Sequence, residues 1–281
     1  MSDGIRLSIA LVTRNRPDSL RRSLASLRAQ EVQPHEIIVS DDSDDPTQAA
    51  ALAAEFGARH VIGPRRGLYA NRNAAALACT GTHIRSMDDD HTFSPGHLAR
   101  CLEFVQGDPV SVWTMGEISF VGGSFSQKAD TPPQLHASGV GGPVHDLDDN
   151  WAISDGSTIY PRSVFDQGLR MVEEFGFGSS YLEFGALLKR RGFRCRCMRE
   201  VWIEHHVVLA ELASRDQASV LFASLCFNLH FRPNRLLAAR YLAGYLARSP
   251  VLSFKLARVL ELAHERWAFS SASLAPTTRS T

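Results

Sequence analysis

Cysteine is scarce in this chain: five residues, Cys79, Cys101, Cys195, Cys197 and Cys226, odd in number and scattered. That excludes a disulfide framework as the organising principle and points to a reducing compartment, so the cytoplasm is the expected address. Cys195 and Cys197 with His205 and His206 downstream invite a zinc reading. A second ligand pair at a recognised spacing is missing, however, and the alternating "RCRCM" reads as a strand. Long apolar runs are missing as well, and none approaches the roughly 20 residues of a spanning helix. The opening "MSDGIRLSIALVTRN" turns polar too early for a secretory signal. Net charge is absent, with 30 basic and 30 acidic side chains, so nucleic acid is not an expected partner. Neither G-x-G-x-x-G nor G-x-x-x-x-G-K-[ST] occurs, which disfavours dinucleotide binding and P-loop chemistry.

What is present is the composition of a soluble globular protein, 44% hydrophobic and 21% charged, long enough for a large domain with an appendage. The charges are unevenly spread. Residues 1–184 carry 15 basic and 24 acidic side chains, residues 185–281 carry 15 and 6. A basic C-terminal part of this kind marks a candidate interaction surface.

Two periodicities alternate through the first hundred residues. "RLSIALV", "EIIVS", "RHVIG" and "THIRSM" are apolar runs of strand length. Between them "PDSLRRSLASLRAQ" sets Leu20, Leu24 and Leu27 on one helical face, and "PTQAAALAAEFG" and "LYANRNAAALACTG" end at glycines as helices do. Strand–helix–strand repetition with short links predicts an α/β fold with a mostly parallel sheet flanked by helices. Ligands of such sheets sit at the carboxyl ends of the strands. Those ends are polar here: Thr13, Arg14 and Asn15; then Asp41 and Asp42; then Asp88, Asp89 and Asp90. Three adjacent carboxylates repel one another unless a cation sits among them, and a run directly after a buried strand is poorly placed for solvation alone. The stretch 116–160 is rich in Gly, Ser and Asp without period, and reads as a long loop or irregular strands over the site. A helix ending at Gly192 and a strand follow, and from 207 the pattern is helical almost to the end.

"SIALVTRNRPDSLRRSLASLRAQ…EIIVSDDSDD", "GLYANRNAAALACTG" and "RSMDDDHTFSPGHL" resemble, in order and spacing, the nucleotide-sugar domain of family 2 glycosyltransferases, of GT-A fold, across about residues 6–206. The resemblance implies a Rossmann-like catalytic domain over 1–206; the residue pattern beyond it reads as a C-terminal helical extension over 207–270 and a disordered tail over 271–281. It implies a metal-dependent, inverting transfer from a nucleotide-sugar donor, UDP-linked first, with Mn²⁺ or Mg²⁺. Asp88 and Asp90 take the D-x-D positions toward ribose and metal, with Asp89 the spacer in the donor-binding run. Asp41 matches the residue that accepts from the uracil ring, with Asp42 the fallback. Thr13 and Asn15 match the first-loop residues near the base, and Arg72 the base- or phosphate-side arginine. His205 and His206 fall where some relatives complete the metal shell, while His91 reads as a neighbour of that shell or an exposed residue.

Relatives place Glu-Asp, with the catalytic base, at the start of the helix that ends here in "KRRGF". Counting back from Gly192 sets Ser180 and Tyr181 at that pair. An inverting displacement needs a carboxylate to take the acceptor proton. Glu183 is the first candidate, with Glu174 and Asp155 behind it. The absent pair keeps a second reading open, a sugar-nucleotide-binding protein with little or no turnover. A nucleotidyltransferase would instead open with a glycine-rich loop after the first strand, and "VTRNRPDS" has no glycine. The acceptor implied is a glycan, a lipid-linked sugar or a small molecule. For the basic C-terminal helices three roles stay open: a bundle covering the domain, peripheral contact at the inner membrane face, or a homodimer interface.

Overall fold

The first strand, β1 (Leu7–Thr13), is buried along its whole length and alternates its side chains between two apolar clusters. Ile9 and Leu11 face one side of the sheet with Leu20, Leu24, Leu27 and Val39, while Ala10 and Val12 face the other with Tyr69, Ala75 and Ile84. A strand covered on both faces must be apolar at both parities, which is why "LSIALV" reads as an unbroken run. The computed structural model describes residues 4–207 and 214–268.

The chain continues through α1 (Pro17–Arg28), β2 (Glu36–Asp41), α2 (Thr47–Glu55), β3 (Arg59–Ile62), α3 (Leu68–Ala78) and β4 (His83–Asp88). Pro17 and Asp18 stand in the first turn of α1, where a missing N–H costs nothing and a negative charge suits the helix dipole. Next come β5 (His91–Thr92), α4 (His97–Gly107), β6 (Val112–Val121), β7 (Ser124–Ala129), β8 (Gln134–Leu135), β9 (Gly141–Gly142) and β10 (Ile159–Pro161). After α5 (Ser163–Asp166), α6 (Ser180–Arg190) and β11 (Cys195–Val207) follow α7 (Gln217–Cys226), a π-helical turn (Phe227–Phe231), α8 (Arg235–Arg248) and α9 (Leu252–Trp267).

The main sheet runs β3-β2-β1-β4-β10-β6-β11-β5, with β7 hairpinned onto β6. β3, β2, β1 and β4 are parallel, as is the β6–β11 pair, and β10 lies antiparallel between β4 and β6. The observed architecture is thus the expected α/β sheet flanked by helices. The stretch read as loop or irregular strands contains β6, ten residues long and central in the sheet. Its first five residues are buried on both faces and give no alternation to read. The anticipated boundary at 206 falls within β11. The C-terminal helices share the apolar cluster of β10, α3 and α6 through Leu221, Phe222, Val259 and Trp267. The tail over 271–281 lies outside the described residues. Register brings three strand ends level: Thr13 lies beside Asp41 and Val12 beside Asp88.

Candidate active site

A cleft of about 680 Å³ opens at those ends. Its lining includes Thr13, Arg14, Arg16, Asp42, Asn71, Arg72 and the run Asp88 to His91, joined from later in the chain by Glu117, Asp155, Gly156, Phe177, Tyr181 and His205.

Because β4 ends at Asp88, the three aspartates leave the strand in a turn and point in three directions. Asp88 faces α3, where Arg72 Nη2 donates to both of its oxygens at 2.7 and 2.6 Å. Asp89 turns back under the first loop, accepting from Thr13 Oγ1 at 2.7 Å and Arg16 Nη1 at 2.7 Å. Burial pushes the Asp89 carboxyl up to about 7, against the pull of Arg16. Asp89 is therefore no simple spacer: it ties loop 13–16 to the run. Asp90 enters the cleft with its Oδ2 3.0 Å from Arg16 Nη1, while its Oδ1 is buried with no hydrogen-bond partner.

Around Asp90 stand two imidazoles. His91 and His205 pack edge to face with ring centroids 4.9 Å apart, and one donor atom each of Asp90, His91 and His205 lie within 4.8 Å of one another. His91 Nδ1 meets the carbonyl oxygen of Gly156 at 3.0 Å. A carbonyl only accepts, so Nδ1 carries the proton and Nε2 is left as a lone-pair donor. His205 Nδ1 meets Glu117 Oε1 at 3.0 Å and its Nε2 stands 3.7 Å from Asp90 Oδ2. Carboxylate or carbonyl behind an imidazole, with the far nitrogen aimed inward, is the arrangement that orients metal-ligating histidines. Burial opposes charge on His205, yet Asp90 and Glu117 outweigh it and raise its pKa to about 10. Burial likewise works against the two carboxylates, but His205 lowers Glu117 to about 2 and, with His91 and Arg16, holds Asp90 well below the ordinary range.

The remaining expected residues divide. Thr13, Asp42, Arg72, Asp155 and His205 are brought to the cleft. Asp42 faces it and accepts from the Arg65 N–H at 2.8 Å. Asp41, the first choice for the base, is buried beneath, held by the Ser43 N–H at 2.8 Å and His60 Nε2 at 3.2 Å. The strand period explains the exchange, since neighbours on an extended chain face opposite ways. Asn15 turns outward to Asp44 at 3.0 Å. His206 leaves the site, meeting Thr92 Oγ1 at 2.8 Å and stacking on Phe120 with centroids 5.3 Å apart. His91, expected outside the metal shell or exposed, is buried within the group. Cys195 and Cys197 are buried on β11 and join no metal-ligating group among the described residues.

Two base candidates are elsewhere. Glu183 is fully buried and bound by Arg266 Nε, 2.8 Å from each oxygen, and by Trp267 Nε1 at 2.8 Å. Glu174 pairs with Arg258 at the surface, 2.7 Å away. Asp155 alone of the three lines the cleft, in contact with Arg72 Nη1. Sequence reasoning passed over Arg16 and Glu117. Arg16 follows the first strand and obeyed the same strand-end rule, whereas Glu117 lay in the stretch without period.

The class that this sheet and strand-end cleft define is the GT-A architecture. The model of glycosyl transferase family 2 matches residues 8–169, and the chain belongs to that family. The family is one of transferase enzymes. The uncharacterized glycosyltransferase YwdF of Bacillus subtilis (strain 168) is 31% identical over 104 residues, 36% of this chain and 39% of YwdF. The chain thus matches well under half the length of that curated relative. Solved structures share the fold, among them two with bound ligands. GalNAc-T7 with UDP, GalNAc and Mn²⁺ superposes with TM-score 0.69 at 13% identity, covering 98% of this chain and 59% of that one. S. aureus TarS 1-349 in complex with UDP-GlcNAc superposes with TM-score 0.61 at 16% identity, covering 94% and 78%.

Proposed function

We propose that the protein is a metal-dependent, inverting glycosyltransferase moving a sugar from a nucleotide-diphosphate donor, UDP-linked first, to an acceptor hydroxyl. The observation that carries this is the inward-facing group Asp90, His91 and His205, set among Arg14, Arg16 and Arg72 at the strand ends of a family 2 fold. That TarS was solved with UDP-GlcNAc and GalNAc-T7 with UDP and Mn²⁺ agrees with the choice of donor and ion.

The residues suit a divalent cation. Asp90 keeps a buried oxygen unpartnered, two imidazoles offer nitrogen, and this mixed set favours Mn²⁺ over Mg²⁺, which prefers oxygen alone. Asp90, His91 and His205 would hold it, Gly156 and Glu117 fixing the two rings. Bound there, the cation supplies Lewis-acid stabilisation of the departing diphosphate. Arg14, Arg16 and Arg72 add fixed positive charge along the phosphate path. Asp42, Thr13 and Asn71 hold the nucleoside side, and Asp88, oriented by Arg72, faces the ribose. Asp155, paired with Arg72 at the edge of the cleft, is the carboxylate that takes the acceptor proton. The acceptor, a glycan, a lipid-linked sugar or a small molecule, enters between Tyr181 and the loop Thr131 to Pro133.

Binding without turnover is the competing reading, and the locking of Glu183 by Arg266 favours it. A thermal-shift panel of UDP-, GDP- and dTDP-sugars with and without Mn²⁺ tests the donor half. Ligand at 100 times Kd adds about 2.7 kcal/mol. Donor hydrolysis or transfer assays test the other half. Asp155→Asn is expected to retain UDP binding and lose roughly 10²- to 10⁴-fold in turnover. Binding with no turnover in the wild type gives the case to the second reading.

A further inference from the structure

Between Asp216 and Glu261 the chain has no acidic residue, yet it carries Arg232, Arg235, Arg240, Arg248, Lys255 and Arg258. This stretch builds α7, α8 and the start of α9. Ala238 and Tyr245 turn inward on α8, and Leu252, Val259 and Ala263 turn inward on α9. The opposite side of α8, at helical spacing, is Leu236, Ala239, Arg240, Ala243 and Ala247, all exposed. That stripe has no acid, amide or hydroxyl, although it meets solvent. Arg235 and Arg248 stand at the two ends of the same helix, and the turn into α9 adds Val251, Phe254 and Lys255. Leu236 is 85% exposed, Val251 65% and Phe254 89%, and the last is the most exposed large apolar side chain described. Among the described residues Arg235, Arg240 and Lys255 form no ion pair. Arg258, by contrast, is engaged by Glu174 and Glu261 and marks where the surface turns acidic.

We infer that the outer face of α8 and the α8–α9 turn form a docking surface for an anionic lipid bilayer. A helix lying in a membrane interface needs an apolar outer face, large side chains to enter the acyl boundary, and arginine or lysine to meet the headgroups. All three coincide here. Clustered basic residues with no intervening acid match the negative potential of such a surface. A second copy of the chain suits the face less well. A two-fold interface sets the same patch against itself, so Arg240 and its neighbours would meet their own copies without a counter-charge. No described helix is long and apolar enough to cross a membrane, so the contact is peripheral. The surface is independent of the donor cleft.

Flotation of the full chain with vesicles tests this, using phosphatidylcholine alone and phosphatidylcholine mixed with phosphatidylglycerol. The expected result is binding to the mixed vesicles in low salt, loss on pure phosphatidylcholine, and loss in about 1 M salt, where the Debye length falls to about 3 Å. Leu236→Ser with Phe254→Ser is expected to lower partitioning roughly tenfold or more, and so is Arg240→Glu with Lys255→Glu. These side chains are exposed, and UDP binding by the same variants reports that they remain folded. No vesicle binding in low salt overturns the proposal, as does binding unchanged in both variants. So does a concentration-dependent dimer that Leu236→Ser with Phe254→Ser dissociates, which makes the face an interface between copies.

Discussion

Glu183 and Arg266 are 83 positions apart and meet in the core, the carboxylate fully buried and gripped at both oxygens. Removing one partner of a buried pair leaves the other charge uncompensated, at a cost of roughly 3–5 kcal/mol. Glu183→Gln is therefore expected to lower the unfolding free energy by that order in a denaturant titration while UDP affinity in the folded fraction holds. Unchanged stability with abolished turnover would return Glu183 to the chemistry. From the helical pattern around Glu183 nothing announced Arg266, because a local period carries no information about a segment folded back from the far end of the chain. The aspartates were more legible. Their position after a strand located the cleft, but which oxygen faces it depends on the turn that follows β4, which turns Asp89 to Thr13 and leaves Asp90 Oδ1 without a partner. Gly156 packs directly against this run. A Cβ there would stand 2.6 Å from Asp88 Oδ2 and 2.6 Å from His91 Cε1. Gly156→Ala is expected to displace the loop and its carbonyl from His91, weakening Mn²⁺ binding roughly tenfold or more. Calorimetric titration with Mn²⁺ checks this.

Among the elements, β4 and α4 carry a second buried charge behind the site. Arg85 on β4 is fully buried, and its Nη1 lies 2.8 Å from His97 Nε2 on α4. An arginine only donates, so His97 Nε2 accepts and the ring is neutral. Burial and the adjacent guanidinium both hold the His97 pKa well below its ordinary value. Below about pH 6.5 the unfolded chain takes up a proton that folded His97 refuses, so this contribution weakens stability as pH falls. The slope is at most about 1.4 kcal/mol per pH unit. His97→Gln keeps an acceptor for Arg85 and removes the titration. Urea unfolding at pH 7 and pH 5 is expected to show a larger loss in wild type than in His97→Gln, other titrations cancelling between them. Equal losses contradict the assignment. The α/β alternation of the first hundred residues was readable because covered strands and helices have different apolar periods. β6 was not, since a central strand buried on both faces inside a glycine-rich stretch shows neither alternation nor long run.

At the scale of the whole molecule, β1, β2 and β4 bring Thr13, Asp42 and the run Asp88 to Asp90 together, and the β6–β11 half of the sheet brings Glu117 and His205 to meet them. The charge division along the sequence corresponds to a spatial one: acids at the strand ends, and on α8 and the start of α9 Arg235, Arg240 and Lys255, which form no ion pair among the described residues. The family match, residues 8–169, takes in the first four parallel strands and Glu117 on β6, and His205 lies beyond it. The proposed site requires the two halves to close around one ion. Calorimetric titration of UDP with and without Mn²⁺, on wild type and on Asp90→Asn, measures this most directly. The predicted result is UDP binding that strengthens at least about tenfold with Mn²⁺ in wild type and not in Asp90→Asn. UDP affinity indifferent to Mn²⁺ in wild type, or enhanced equally in the variant, would contradict the proposed site.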